Sequence, residues 1–435
     1  MRSIHFLVRE GTRWTNWAGT AKTTPRRVLS PTGPDDIAKL VSEAAGRGGR
    51  LKAAGSGHSF TGIAVADDIL LRLDGYRPEP VVDRETSRVT VPAGITLREL
   101  NPLLAHHGLA LPNLGDIDAQ TLAGATSTGT HGTGAKLNGI AAAIVGARLV
   151  DGTGTVRDFG PEDPELAAVA LGLGALGVVT DLTIQCVPAF RLLAEEHPMP
   201  LDAAIAEFDT LAATNDHLDL YWFPRADRVL VKRNNRAGAG RPLSGIKRWW
   251  EDEVMSNAVY GTACHIGKTF PATVPAITSM SARLMSSRTF MDESYRVFCT
   301  PRRVRFVEME YALPRAAFAP AFAALRGAAN KRRIIFPVEI RVTAPDDLWL
   351  STAHGRDSVY FAVHQFRGMP YRDYFAEVEA VMREHDGRPH WGKLHTRTAA
   401  DLAGVYPRFA DFQRLRDRLD PQRVFANSYL DRVLG

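Results

Sequence analysis

Gly55-Ser56-Gly57-His58-Ser59, entered from Ala54, puts two glycines, two hydroxyls and an imidazole into five consecutive positions. Glycines tolerate positive φ, so successive N–H groups in such a loop can converge on a phosphate. Ser56 and Ser59 would add hydroxyl donors, and His58 a nucleophilic ring nitrogen. The pentapeptide is equally compatible with a plain strand-to-loop turn. It is not a P-loop, since no Gly-Lys-Ser/Thr follows, and Phe60 stands where a dinucleotide fingerprint needs its third glycine. Far along the chain, His390-Trp391-Gly392-Lys393 gathers basic and aromatic groups able to close the same site.

Other segments carry groups of the same kind. Asn113-Leu114-Gly115-Asp116-Ile117 leads through Thr121 into Gly124-Ala125-Thr126-Ser127-Thr128-Gly129-Thr130-His131-Gly132-Thr133-Gly134. So many small and hydroxylated residues pack a core poorly, but let a backbone run along a large flat ligand; a flexible linker is the alternative, which Ala123, Ala125 and His131 interrupt. Pro337 to Val342 alternates with period 2: Val338, Ile340 and Val342 share one face, Glu339 and Arg341 the other. Alone, that pattern fits a strand with one solvated face and a weak surface ion pair. Tyr360 to His364 is a similar strand, ending in a histidine that could be structural or catalytic.

Two patterns are decoys. Gly172-Leu173-Gly174-Ala175-Leu176-Gly177 matches G-x-G-x-x-G, but a helix precedes it and a strand follows, the reverse of the Rossmann order. Close backbone approach to a ligand stays open there. His390 and His395 lie five residues apart with no supporting carboxylate or cysteine set, so no metal site is expected.

The elements that must position these groups follow from periodicity. Helices are expected over 34–46, 97–107, 164–170, 201–213, 316–330 and 374–385, and strands over 50–54, 69–73, 88–92, 177–186, 217–223, 304–313 and 334–343. Ala143–Val150 and Thr155–Phe159 form a hairpin around Asp151-Gly152-Thr153-Gly154. The chain therefore reads as α+β. Its 435 residues exceed one ordinary core. The expected division is a first domain over 1–188, a second over 189–387 with an antiparallel sheet backed by helices, and a segment 388–435 that returns to the first site.

Composition narrows the class. Apolar residues at 45% and charged residues at 23% suit a globular protein. The apolar stretch Ile4 to Val8 is too short for a signal-peptide core, and no run reaches a bilayer span. Cys186, Cys264 and Cys299 are an odd, widely spaced set, which fits a reducing cytoplasm rather than a disulfide framework. The net charge of +5 is scattered, with no basic-aromatic stripe for nucleic acid. The basic clusters from Lys232 to Lys247-Arg248 and at Lys331-Arg332-Arg333 read as solvated loops. Trp249-Trp250, directly after the first, allows contact with an anionic membrane surface.

Taken together, the segments resemble the aldonolactone oxidoreductases of the vanillyl-alcohol-oxidase flavoprotein superfamily. Members include L-gulono-1,4-lactone oxidases and dehydrogenases, D-arabinono-1,4-lactone oxidases and, more distantly, alditol oxidases. The resemblance runs from Trp14-Thr15-Asn16-Trp17 to Asp420-Pro421 and Phe425. It is most specific at Gly55–Ser59, Thr130–Gly134, Glu308-Met309-Glu310-Tyr311, Glu339-Ile340-Arg341 and His390–Lys393. It implies a two-domain fold with an FAD-binding α+β domain under a cap of antiparallel sheet and helices. By the resemblance, Ala54 to Ser59 wraps the pyrophosphate and His58 carries a covalent link to the flavin 8α-methyl group. Gly115, Asp116, Thr121, Gly124, Ala125, Thr126, Ser127, His131, Val178, Val179 and His390 match further cofactor contacts. Glu339, Arg341 and Lys393 match the substrate side, with His364 close by.

The chemistry implied is hydride transfer from a carbinol C–H to flavin N5. In a lactone the carbon beside the carbonyl is the natural donor, and the product is of ascorbate type. Arg341 and Lys393 would stabilise charge on the hydroxyl oxygen; Glu339 would orient Arg341 or the sugar hydroxyls, with Glu339 and His364 as candidate proton acceptors. Oxygen or another electron acceptor completes the cycle, and Gly115, a small residue beside the flavin in such enzymes, leans toward oxygen. The alternative is an alditol oxidase acting on xylitol or sorbitol; His364 and Asp116 depart from that pattern and favour a lactone over a polyol.

Overall fold

The structure, a computed structural model, describes residues 11–435 except Ala239, and the side chains of all these but Arg248, Glu251, Asp252 and Ser256. The N-terminal apolar stretch weighed above lies outside the described residues.

The first part of the chain builds two sheets. Arg27–Leu29, Ile69–Leu71 and Leu51–Ala53 form a parallel three-stranded sheet in that spatial order. Helix Pro34–Gly46 covers it, with proline in its first turn and Ile37, Leu40, Val41 and Ala44 turned inward. An antiparallel five-stranded sheet follows, ordered Val156–Phe159, Ile144–Val150, Val178–Gln185, Arg88–Pro92 and Val81–Asp83. The expected hairpin is present, its turn held by three bonds to the buried Asp151 carboxylate from Thr153 and Thr155.

The second part is one antiparallel sheet of eight strands. Its order is Arg288–Glu293, Arg191–Pro200, Arg228–Arg236, His217–Trp222, Val338–Thr343, Ser358–Phe366, Phe306–Pro314 and Arg388–Pro389. Period 2 splits it into two faces. Leu218, Leu220, Trp222, Val338, Ile340, Val342, Val359, Phe361, Val363, Val307, Met309 and Tyr311 pack on helices Phe318–Asn330 and Arg372–Glu384. The opposite face turns to the first part of the chain and carries Asp219, Tyr221, Glu339, Arg341, His364, Glu308 and Glu310.

Several expectations are corrected. The face bearing Glu339 and Arg341 is not solvated: these residues are 7% and 8% exposed, because the segment 130–134 lies across it. Gly134 N–H donates to Val342 C=O at 2.8 Å and pairs with Thr343. The strand begins at Val338 rather than 334. The stretch read as an extended run along a ligand contains a helix, Leu122–Thr128, capped by the Thr121 hydroxyl and seated by buried Leu122 and Ala125. The expected helix 201–213 breaks at Glu207 into Leu201–Ala206 and Phe208–Thr214. Lys232 is not in a solvated loop but on a strand, 3.6 Å from buried Glu196. Beyond it, helices fill 245–283 where no element was expected.

The C-terminal segment ties the parts together. Lys52 is buried on the parallel sheet and donates to Gly174 C=O at 2.9 Å and Phe425 C=O at 3.1 Å. Burial, helped by Arg416 and opposed by Asp420 and Asp431, lowers this ammonium to about 7. Replacing Lys52 with alanine strands both carbonyls and should destabilise the fold by about 3 kcal/mol. The check is the urea midpoint; a midpoint unchanged from wild type would mean that the C-terminal segment is held elsewhere.

Candidate active site

Two cavities meet between the sheets. The narrower, about 350 Å³, is lined by Ala54 to Ser59, Gly94, Thr121, Gly124, Ser127 and Val179. The wider, about 790 Å³, is lined by Gly115, Asp116, His131, Glu339, Arg341, His364, His390 and Lys393. His58, Ser59, Gln120 and Thr128 belong to both, so one long ligand can thread them.

The cradle is built for close approach. Gly57 has φ +73°, the left-handed region that favours glycine. A Cβ on Gly55 would overlap the Thr121 hydroxyl, and one on Gly94 would come within 2.7 Å of Leu73 C=O. The rejected glycine run joins the same wall through Leu173, Gly174 and Gly177, so backbone approach occurs there without Rossmann order. The other predicted cofactor residues divide by strand and helix face. Val178, Ala125 and Thr126 are buried in the core and do not line either cavity, whereas their neighbours Val179, Gly124 and Ser127 do.

His58 stacks on Trp17 with ring centroids 5.8 Å apart. Burial, then Lys393 and Arg98, lowers its pKa, which keeps a ring lone pair free for nucleophilic chemistry. Trp391 anchors the late motif: it is fully buried, stacks on Tyr406 and donates to Leu350 C=O at 2.7 Å. Gly392 C=O accepts from Phe60 N–H at 2.6 Å, which holds the two histidine motifs side by side. His390 Nδ1 accepts from Gly392 N–H, and burial lowers its pKa to about 3, leaving a neutral ring with an Nε2 donor. His395 bonds Tyr429 instead and stays outside both cavities.

Two ionic clusters form the floor. In the first, Arg341 contacts Glu339 through Nε at 2.8 Å, Asp219 at 3.0 Å and the Asp116 carboxylate. Asp116 also meets Arg302 at 2.8 Å, and Tyr221 donates to Glu339 at 2.6 Å. The Asp116 carboxylate thus belongs with the charges around Arg341. Burial pushes Asp116 up, but Arg341 and Arg302 outweigh it and hold the acid well below its ordinary range. In the second cluster Lys393 Nζ lies 2.5 Å from Glu308 and 3.7 Å from Glu310. His364 Nε2 lies 3.5 Å from Glu308, and His131 Nε2 3.2 Å from Glu310. Despite burial, Lys393 and His364 bring Glu308 to about 2. Burial alone would lower Lys393; Glu308 and Glu310 raise it instead.

His131, Glu310 and His390 could also ligate a cation, their ligand atoms lying within 4.8 Å of one another. Lys393 already supplies positive charge at that carboxylate.

Sequence reasoning missed Asp219, Tyr221 and Arg302, and named Glu308 and Glu310 without assigning them a site. The signal was available for two of them: in the expected strand 217–223, Asp219 and Tyr221 alternate with Leu218, Leu220 and Trp222. Arg302 has no such signal, because a loop carries it.

Residues 182–433 match the family described as D-arabinono-1,4-lactone oxidase. The chain belongs to this family. Residues 25–160 match a second description, an FAD binding domain. An L-gulono-1,4-lactone dehydrogenase of Mycobacterium tuberculosis is 42% identical, over 97% of this chain and 99% of that one. An L-gulonolactone oxidase of Bos taurus is 31% identical over 98% of each chain. An alditol oxidase of a Streptomyces species is 32% identical over 97% of this chain and 98% of that one. Among solved structures, a solvent-stable cholesterol oxidase superposes with a TM-score of 0.84 at 18% identity, covering 98% of both chains. The cholesterol oxidase of B. sterolicum gives 0.82, also at 18% identity, over 99% of this chain and 98% of that one. At that identity the likeness concerns the fold.

Three carboxylates face two guanidiniums in the first cluster, so one acid carries the excess. Burial pushes Asp219 up to about 7, against Arg341 and with help from Asp116 and Glu339. An unfolded aspartate releases its proton near pH 4. Between about pH 4 and 7 the native state therefore binds the extra proton, and stability falls as pH rises through that window. Asp219→Asn removes this loss. Its Tm should drop a few degrees less than wild type between pH 5 and pH 8 in thermal denaturation; parallel curves would assign the proton to another group.

Proposed function

We propose that this chain is an FAD-dependent oxidoreductase that oxidises an aldono-1,4-lactone of the L-gulono type to an ascorbate-type product. The observation that carries the reading is the convergence of Glu339, Arg341, Lys393 and His364 on one cavity floor beside the glycine cradle. Family membership supports the cofactor, and the cradle fits it: the glycine-rich backbone of Ala54–Ser59, with Gly94 and Gly124, walls a cavity of about 350 Å³ where N–H groups can meet a pyrophosphate. Bound FAD supplies a two-electron acceptor for a hydride at flavin N5. We assign Ala54–Ser59, Thr121, Gly124, Ser127 and Val179 to the phosphate and nucleoside part, and Gly115, His131 and His390 to the ring. Ala125, Thr126 and Val178 then act as packing behind that surface. His58, with its lone pair held free, is the proposed covalent attachment point.

The chain's own groups do the rest. Arg341 and Lys393 line the cavity and place positive charge where negative charge develops on the substrate hydroxyl oxygen. Glu339, fixed by Tyr221 and Arg341, orients the sugar hydroxyls. His364 donates its Nδ1–H to Pro337 C=O, 3.1 Å away, which turns Nε2 toward Glu308 and the cavity. Domains over 1–188 and 189–387, with 388–435 returning to the cofactor, describe this division of labour. We place the protein in the cytoplasm, in contact with a membrane surface; among the described residues no helix is long and apolar enough to cross one.

Anaerobic mixing with L-gulono-1,4-lactone should bleach the flavin band, and xylitol should not; bleaching by xylitol alone would move the assignment to an alditol oxidase. Lys393→Met should slow that bleaching by about 10²-fold, the scale of one lost transition-state donor. An unchanged rate would remove Lys393 from the reaction. A Cβ on Gly115 would sit 3.3 Å from His131 C=O and 3.4 Å from the Thr130 methyl, so alanine fits with a small adjustment. Gly115→Ala should lower the rate of oxygen consumption without changing the anaerobic step; undiminished oxygen use would rule out a gate at this position.

A further inference from the structure

Gly245–Trp249, Trp250–Val259 and Tyr260–Thr269 run on as one helix whose middle stretch has wide π-helical turns. Ile246, Trp250, Met255, Val259, Ile266 and Phe270 are all exposed. Their spacings are four, five, four, seven and four residues, and the step of five falls where i→i+5 turns replace α-turns. They therefore form a single stripe, with exposed Trp249 beside it. The other side of the helix is the packed one: Asn257, Cys264 and Gly267 are buried, and Cys264 meets Val274, Ile335, Phe336 and Phe366.

This stripe is continuous with the active-site cavity. Met255 and Val259 belong to both, and Met280 and Leu284 on helix Val274–Arg283 and just after it complete the rim, Leu284 being 66% exposed. Inside the rim stand Ala263, Ile277, Met285, Phe223 and Phe336. The cavity thus has a charged floor, suited to a polyhydroxylated substrate, and an apolar throat that such a substrate does not use. Across residues 245–284 the basic Lys247, Arg248, Lys268 and Arg283 outnumber the acids Glu251, Asp252 and Glu253 by one, and Arg241 stands just before them. Apolar stripe, paired tryptophans and basic surplus are the make-up of a helix lying in the interface of an anionic bilayer. The same surplus disfavours a basic electron-carrier protein as occupant.

We propose that residues 245–284 seat the protein on an anionic membrane surface and that the throat admits a lipophilic quinone from that membrane as the electron acceptor. This rests on the redox reading above and specifies its second half. The substrate carbinol loses two electrons and two protons to become a carbonyl, and the quinone takes up two of each and leaves as the hydroquinone.

The test uses the full-length flavin-loaded protein. Wild type should co-sediment with phosphatidylcholine/phosphatidylglycerol vesicles, with a blue shift of tryptophan emission, and bind pure phosphatidylcholine at least 10-fold more weakly. A Trp249→Glu, Trp250→Glu, Phe270→Glu variant, which alters the stripe and not the cavity lining, should lose vesicle binding. With lactone as donor, it should lose at least 10-fold in turnover with a long-chain quinone held in vesicles, and keep wild-type turnover with a short-chain soluble quinone. Absence of vesicle binding by a folded wild type would overturn the proposal, as would a dimer through this face that vesicles do not dissociate. Equal use of vesicle quinone by the variant would overturn the throat as its route. Vesicle binding without lactone oxidation would instead count against the active-site reading and leave the membrane seat standing.

Discussion

Moving the Arg341 guanidinium out of water costs several kcal/mol unless charges and hydrogen bonds are arranged around it. The molecule meets that cost with acidic side chains from three segments: Glu339 from the same strand, Asp219 from the neighbouring strand and Asp116 from the other half of the chain. The guanidinium left without these partners would be a buried lone charge. The cluster therefore ties the approach of the glycine-rich segment to the sheet. It explains why 130–134 is laid against Val342 and Thr343 and why the cavity closes between them.

A second ionic group repeats the logic on the adjacent strands. Glu308 and Glu310 alternate with Val307 and Met309, so the apolar residues hold the helices while the acids receive Lys393, His364 and His131. One sheet thus serves as both core and floor. Its apolar face supplies the stability that lets its polar face be crowded with charge, and burial of those charges fixes their geometry before any substrate enters. An aromatic wall of Trp17, Phe60, Phe306 and Phe336 stands beside the same floor.

Much of this was legible in the residues. Gly55–Ser59 and His390–Lys393 advertised a cradle and its closure, because glycines, hydroxyls and a Trp-Gly pair are poor choices for a plain strand or helix. The expected helices at 34–46 and 97–107 and the hairpin at 144–159 form because local signals agree there: Pro34 in a first turn, the Thr96–Glu99 capping box and the Asp151-Gly152 turn. Strands Arg191–Pro200 and Arg228–Arg236 escaped notice because their buried sites include two polar residues, Asn234 and Glu196, and the partners of Glu196 lie on other strands.

What the amino-acid order determined by itself was the set of local devices: the alternation that gives Val338–Thr343 two faces, the cradle, the caps, and the family to which they belong. What only the tertiary structure decided was which way the charged faces look. Alternation says that Glu339 and Arg341 share a side, but not whether water or a covering segment lies there. That depended on Asp116, Asp219 and segment 130–134 arriving from distant parts of the chain, and a charge can stay buried only where its partners come with it.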